Sequence, residues 1–218
     1  MNFFKKIVKY VVYFFGYKLS HVGVRYFYMQ RLFDRASGLK GDIVECGVGN
    51  MHTFNALATF LRDADLPKKL WGFDSFEGFP YPSLYDQSPR NAKKGELKYI
   101  EAEDVAKILV VLGFKNYWID SHIKIIKGFF QDTLPSCGIS EISFLHLDVD
   151  LYNSYKICLE QLFPKVVKGG VVLFDEYDNG NENYKFPGAK KAIDEYFRDT
   201  KYKLSRDKLT GKYFLIKS

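Results

Sequence analysis

Little in this sequence points to secretion, redox chemistry or sulfur-held metal. Cysteine occurs three times, at Cys46, Cys137 and Cys158, an odd count without metal-ligand spacing. That argues against a disulfide scaffold and fits reduced packing residues of a cytosolic protein. There is no internal repeat, no low-complexity tract and no nucleic-acid-binding motif. The apolar run after Lys9 is too short to span a bilayer, and no small-residue cleavage site follows it. The expectation is a chain with neither a transmembrane helix nor a signal peptide.

The charge that is present is unevenly spread. Residues 1–40 carry eight Lys/Arg against one acid, 41–183 fourteen against twenty-one, and 184–218 ten against four. The pI of about 9.0 therefore belongs to the two ends, and the centre is acidic. Basic termini around an acidic body suit anionic lipid or a phosphorylated substrate better than nucleic acid. Within 1–40, Phe4, Ile7, Val8, Val11, Phe14 and Phe15 recur at helical spacing among Lys5, Lys6 and Lys9. Two readings of this amphipathic segment stay open. It lies on the inner face of a membrane, or it packs on the domain or on a second copy in a homo-oligomer.

At 218 residues one compact domain is the default. From residue 41 onward short apolar runs alternate with helical patterns, the signature of an α/β fold. The expected strands are 42–47, 70–75, 122–128, 142–149 and 171–177, and the expected helices are 52–63, 101–114, 153–167 and 187–199. The end, YKLSRDKLTGKYFLIK, reads as two strands joined at Thr210-Gly211. The layout is that of a Rossmann-like class I methyltransferase sheet, although pattern alone also admits a nucleotide-binding fold of another kind. The methyltransferase sheet has seven mostly parallel strands, helices on both faces and an antiparallel C-terminal pair, all within 41–218. Residues 76–99, rich in Pro, Tyr and charge, are too long for a plain connection and are expected to form a lid.

Two features carry chemistry. Gly47-Val48-Gly49 follows the first strand and opens a helix, so backbone can approach a ligand there. A dinucleotide fingerprint needs a further glycine three residues on, and that position is His52. S-adenosylmethionine has no pyrophosphate to seat. It needs a path for its amino-acid tail and an acid for its ribose hydroxyls. Asp74, ending the second strand, stands where that acid is required, and Glu45 inside the first strand is a candidate for the amino group. The second feature is a pair of apolar runs that end in acid, FLHLDVD with Asp148 and Asp150, and VVLFDE with Asp175 and Glu176. Carboxylates at neighbouring strand ends repel unless a hard cation sits between them. His146, two before Asp148, should share its face as a packed strand residue or as an alternative base.

GDIVECGVG (41–49), FDSFEGFP (73–80), GFFQDTLP (128–135), LHLDVDLYNSY (145–155), GGVVLFDEYD (169–178) and PGAKKAIDEYF (187–197) stand in this order. Together they resemble the macrocin O-methyltransferase family, enzymes that methylate sugar hydroxyls with S-adenosylmethionine and a metal. The resemblance implies that Asp148, Asp175 and Glu176 hold Mg²⁺ and that Asp150 is the base. It also implies that Gly47, Gly49, Asp74, Ser75, Asp132 and Asp148 line the cofactor site. The implied acceptor contains a sugar, free or linked to a nucleotide or lipid. The chain departs from the family in reading NMHTF after Gly49, where Arg and Gly are common, and Asp175-Glu176 where two aspartates are common. A competing reading takes Asp148-Val149-Asp150 as the D-x-D motif of a metal-dependent glycosyltransferase. It leaves the glycine loop and the second acidic strand end unexplained.

Overall fold

The computed structural model describes residues 21–177 and 185–218. The apolar residues between Phe4 and Phe15, read as membrane-surface or packing helix, lie outside the described residues. Seven strands form one sheet: β1 Asp42–Cys46, β2 Leu70–Asp74, β3 Ile123–Lys127, β4 Ile142–Leu147, β5 Val166–Phe174, β6 Ser205–Arg206 and β7 Tyr213–Ile216. Their order is β3-β2-β1-β4-β5-β7-β6. The first five are parallel, and β7 runs antiparallel to both β5 and β6. This is the expected class I methyltransferase sheet. The strand order reverses between β1 and β4, which opens a crevice at the carboxyl edge there.

Alternation along the strands feeds two cores. On one face Val44, Leu145, Leu147, Val172 and Phe174 pack against the helices α6 (Tyr152–Leu162) and α7 (Pro187–Phe197). On the other, Ile43, Phe144, Val171 and Leu173 pack against α1 (His21–Ser37) and α2 (His52–Asp63). Tyr28, Met29, Leu32, Phe33 and Ala36 of α1 are buried in this second core. Among the described residues no helix is long and apolar enough to cross a membrane.

Among the boundaries that differ from expectation, three have a clear local setting. The helix expected over 101–114 is two, α3 (Asp104–Val111) and α4 (Asn116–His122). Gly113 sits at φ +91, its N–H reaches Val110 O, and the Phe114 N–H reaches Leu109 O. That is a left-handed C-terminal cap, and it ends α3. The fifth strand starts earlier, at Val166, which pairs with Ile142 of β4, and Gly169 and Gly170 bond to Lys217 of the returning chain end. The fourth strand stops at Leu147, not 149, and Asp150 adopts φ +58. Asp148 and Asp150 therefore do not follow from a regular strand running through Val149.

Candidate active site

The crevice begins at the end of β1. The Gly47 N–H donates to Phe73 O at 2.8 Å, and the Asp148 N–H donates to Cys46 O at 3.0 Å. Strands β2, β1 and β4 are thus stitched together by the residues that follow β1 and β4. Gly47 has φ +88, and a Cβ there would lie 1.8 Å from the Asp148 carbonyl oxygen. Only glycine allows the two strand ends this close. Asp74, at the end of β2, shapes the loop beside it. Its Oδ2 accepts from the Gly49 N–H at 2.9 Å, and its Oδ1 from the Phe76 N–H at 2.8 Å. Ser75 next to it donates to Gly78 O at 2.8 Å and accepts from the Glu77 N–H.

These residues line one cleft of about 1230 Å³, which also takes in Asp148, Asp150, Asp175 and Glu176. That exceeds the few hundred to about 1,000 Å³ of a single small-ligand pocket, so there is room for a cofactor with an acceptor beside it. The segment 76–99 forms one wall through Phe79, Tyr81, Arg90 and Tyr99. It is moored to the domain. Asp86, buried, accepts from Ser83 N–H and hydroxyl, both at 2.7 Å, and from the Tyr152 N–H of α6 at 2.8 Å. Arg90 pairs with Glu96 at 2.7 Å and lies over the rings of Phe79 and Phe186.

The acids gather at the ends of β4 and β5. His146, Asp148 and Asp175 each offer one potential ligand atom within 4.8 Å of the others. Glu176 lies outside that group of three. It is buried, and its Oε2 accepts from the Tyr155 hydroxyl at 2.8 Å and the Asp150 N–H at 3.2 Å. Burial first, then the charges of Asp148 and Asp150, push the Glu176 carboxyl well above its ordinary pKa. Three acids pressed together carry this cost, and the arrangement is one that a divalent cation would stabilise. Lys212, from the β6–β7 connection, donates to Asp175 O at 2.7 Å and to Asp175 Oδ2 at 3.0 Å.

The remaining expected site residues fall in three places. Gly47, Gly49, Asp74, Ser75, Asp148 and Asp150 line the cleft. Glu45 is fully buried beneath it, where its Oε1 accepts from the Thr53 hydroxyl and lies 2.8 Å from His146 Nδ1. Burial raises its pKa against those two hydrogen bonds. Asp132 is exposed on α5 (Phe130–Thr133) and does not line the cleft, while Phe130 and Gln131 beside it do. Thr53, Arg90, Asn153 and Lys156 also face the cleft and were not singled out from sequence. For Thr53 a signal existed, since it opens the helix after the glycine loop.

The donor set and the cleft both suit the groups that the sequence calls for. A glycine-lined backbone path with an acid at its side fits an adenosyl cofactor. The imidazole and carboxylates at the neighbouring strand ends fit a divalent cation.

Known proteins resemble this chain in sequence and in fold. The family model for TylF, macrocin O-methyltransferase, matches residues 29–207. Demethyldecarbamoylnovobiocin O-methyltransferase of Streptomyces niveus is 31% identical over 166 residues, 73% of this chain and 59% of that protein. An O-methyltransferase of Streptomyces olivaceus is 32% identical over 147 residues, 65% of this chain and 55% of its own length. Its name places the reaction at the 4' position of 8-demethyl-8-(2,3-dimethoxy-alpha-L-rhamnosyl)-tetracenomycin-C. This chain thus spans somewhat over half the length of these relatives. The solved structure of the O-methyltransferase NovP superposes with a TM-score of 0.75 at 26% identity, over 90% of this chain and 80% of that one.

Proposed function

Because the chain belongs to the macrocin O-methyltransferase family, we propose that it transfers a methyl group from S-adenosylmethionine to a hydroxyl of a sugar-containing small molecule. The observation that carries this reading is the juxtaposition in one cleft of the Gly47–Gly49 loop, locked by Asp74, with the carboxylates of Asp148, Asp150 and Asp175. The rhamnosyl group in the name of one relative supports a sugar as acceptor. The D-x-D glycosyltransferase reading accounts for Asp148 and Asp150 and leaves the loop and Asp74 without a role.

Gly47 and Gly49 would let backbone meet the amino-acid tail of the cofactor, and Asp74 would accept from its ribose hydroxyls. Both Asp74 oxygens already take one backbone N–H, which fixes the carboxylate and leaves a lone pair on each for the ligand. The cofactor supplies the electrophilic methyl group. Asp148 and Asp175 would hold a divalent cation, Mg²⁺ in the simplest case, and Glu176, buried at their side, would add its charge. Such a cation supplies positive charge for an oxygen that is losing its proton. Asp150 would take that proton. The cleft walls hold acceptor and cofactor in line, which is a positioning task.

Calorimetry tests the cofactor half of this reading. Wild type should bind S-adenosylmethionine and S-adenosylhomocysteine and ignore nicotinamide dinucleotides. Hydrogen bonds to a charged acceptor contribute about 1.5–3 kcal/mol, so Asp74→Ala should weaken binding roughly 10–100-fold. Equal affinity in the two proteins would remove Asp74 from the site.

A further inference from the structure

His146 is buried on β4, 1% exposed, directly opposite Glu45 of β1 in the parallel register. Its Nδ1 lies 2.8 Å from Glu45 Oε1, and its Nε2 lies 4.0 Å from Asp175 Oδ1. The second distance is too long for a hydrogen bond. Two atoms about 2.1 Å from one ion are about 3.0 Å apart in adjacent positions and about 4.2 Å apart in opposite ones, so this spacing fits near-opposite positions around a cation. Asp148, the third member of the group, lies on the same strand end. Glu45 has no route to solvent, and its Oε2 lacks a hydrogen-bond partner among the described residues. A carboxylate is costly to bury in this way unless it serves a neighbouring group. When Oε1 accepts the Nδ1–H, the imidazole keeps its Nε2 lone pair on the side of Asp148 and Asp175. A carboxylate that orients a histidine toward a metal is a recurring arrangement.

We propose that His146 Nε2 is a nitrogen ligand of the divalent cation held by Asp148 and Asp175, with Glu45 as the residue that positions it. The proposal rests on the reading that those two aspartates bind a cation, and it changes the character of the site. A set of carboxylates alone suits Mg²⁺. A mixed set of imidazole and carboxylate favours Mn²⁺ and, more strongly, Co²⁺, following the general affinity order of nitrogen-containing sites. The chain should therefore bind Co²⁺ and Mn²⁺ more tightly than Mg²⁺, and His146→Gln should erase most of that preference while Mg²⁺ affinity changes little. Glu45→Leu removes the acceptor for Nδ1–H and should cost Mn²⁺ affinity about 10–100-fold. Glu45→Gln keeps a carbonyl acceptor and should retain most of the affinity.

The decisive readout is pulsed electron paramagnetic resonance of Mn²⁺ added to the full chain. The expected spectrum of wild type carries modulation from one coordinated imidazole nitrogen, which changes isotope pattern when histidine is ¹⁵N-labelled. His146→Gln should bind Mn²⁺ without that modulation. Three other histidines exist, and His52 faces the cleft, so His52→Gln is the control and should keep the signal. If burial makes His146→Gln unfold, the labelled wild type and the His52 variant still decide the question. Mn²⁺ bound with no nitrogen modulation would overturn the histidine ligand and leave the cation site standing. Failure to bind any divalent cation would end both readings.

Discussion

Asp150→Asn should lower the rate of methyl transfer by about 10²–10⁴-fold, the usual contribution of a positioned proton acceptor, and added cation should not restore it. The substitution is a clean one on structural grounds. Asp150 sits in the left-handed region at φ +58, where asparagine is among the most tolerated residues. Its backbone N–H still reaches Glu176 Oε2, so the turn survives. Cofactor and metal affinity should therefore hold while kcat falls. Asp148→Asn should behave differently. Asp148 belongs to the three-residue group with His146 and Asp175, so metal affinity and rate should fall together. Excess cation should recover part of the rate. If Asp150→Asn were rescued by cation and Asp148→Asn were not, the two roles would be exchanged. If neither change touched a metal-dependent rate, the strand end would not be the catalytic edge.

Gly47→Ala should be among the most destabilising single substitutions in the chain, by roughly 3–5 kcal/mol. The added Cβ would meet the Asp148 carbonyl oxygen at 1.8 Å, and that atom is backbone with no rotamer to yield. The residue is also held at φ +88, where an L side chain is strained in any case. Relief requires the end of β4 to move away from β1, which carries Asp148 with it. Gly49→Ala is the matched comparison. Its nearest neighbour is a Tyr99 ring carbon at 3.9 Å, so only the cost of φ +52 applies, about 1–2 kcal/mol. Denaturant midpoints with equal m-values would measure both. A Gly47→Ala protein as stable as Gly49→Ala would mean that the close approach of the two strand ends is not a structural requirement.

The parts of this site that were legible in the sequence are those set by local pattern. Apolar runs that stop at Asp74, Asp148 and Asp175 gave the strands and, through their ends, the edge where the cleft forms. The glycine loop announced itself by composition. What stayed hidden depends on contacts between distant segments. Lys212 reaches Asp175 across 37 residues, and Asp86 reaches the Tyr152 N–H across 66. No periodicity encodes either pairing. The group of possible cation ligands was only half visible. Period-two alternation put His146 on the face of Asp148, but its partner Glu45 lies 101 residues away in sequence and appears only once β1 and β4 are in register. Asp132 illustrates the opposite failure. A four-residue helix turns it outward and presents Phe130 and Gln131 to the cleft, a rotation that sequence spacing alone does not fix.

Cation-dependent transfer of methyl to a sugar oxygen can be read directly in one labelling measurement. The protein is incubated with S-adenosylmethionine carrying a deuteriated methyl group and a panel of glycosides and nucleotide-activated sugars, with divalent cation or with excess chelator. Mass spectrometry and fragmentation then locate the label. Label is expected on a sugar hydroxyl oxygen in the presence of cation and should be lost under chelation. Label delivered to nitrogen or carbon, or the same yield in chelator as in cation, would contradict it.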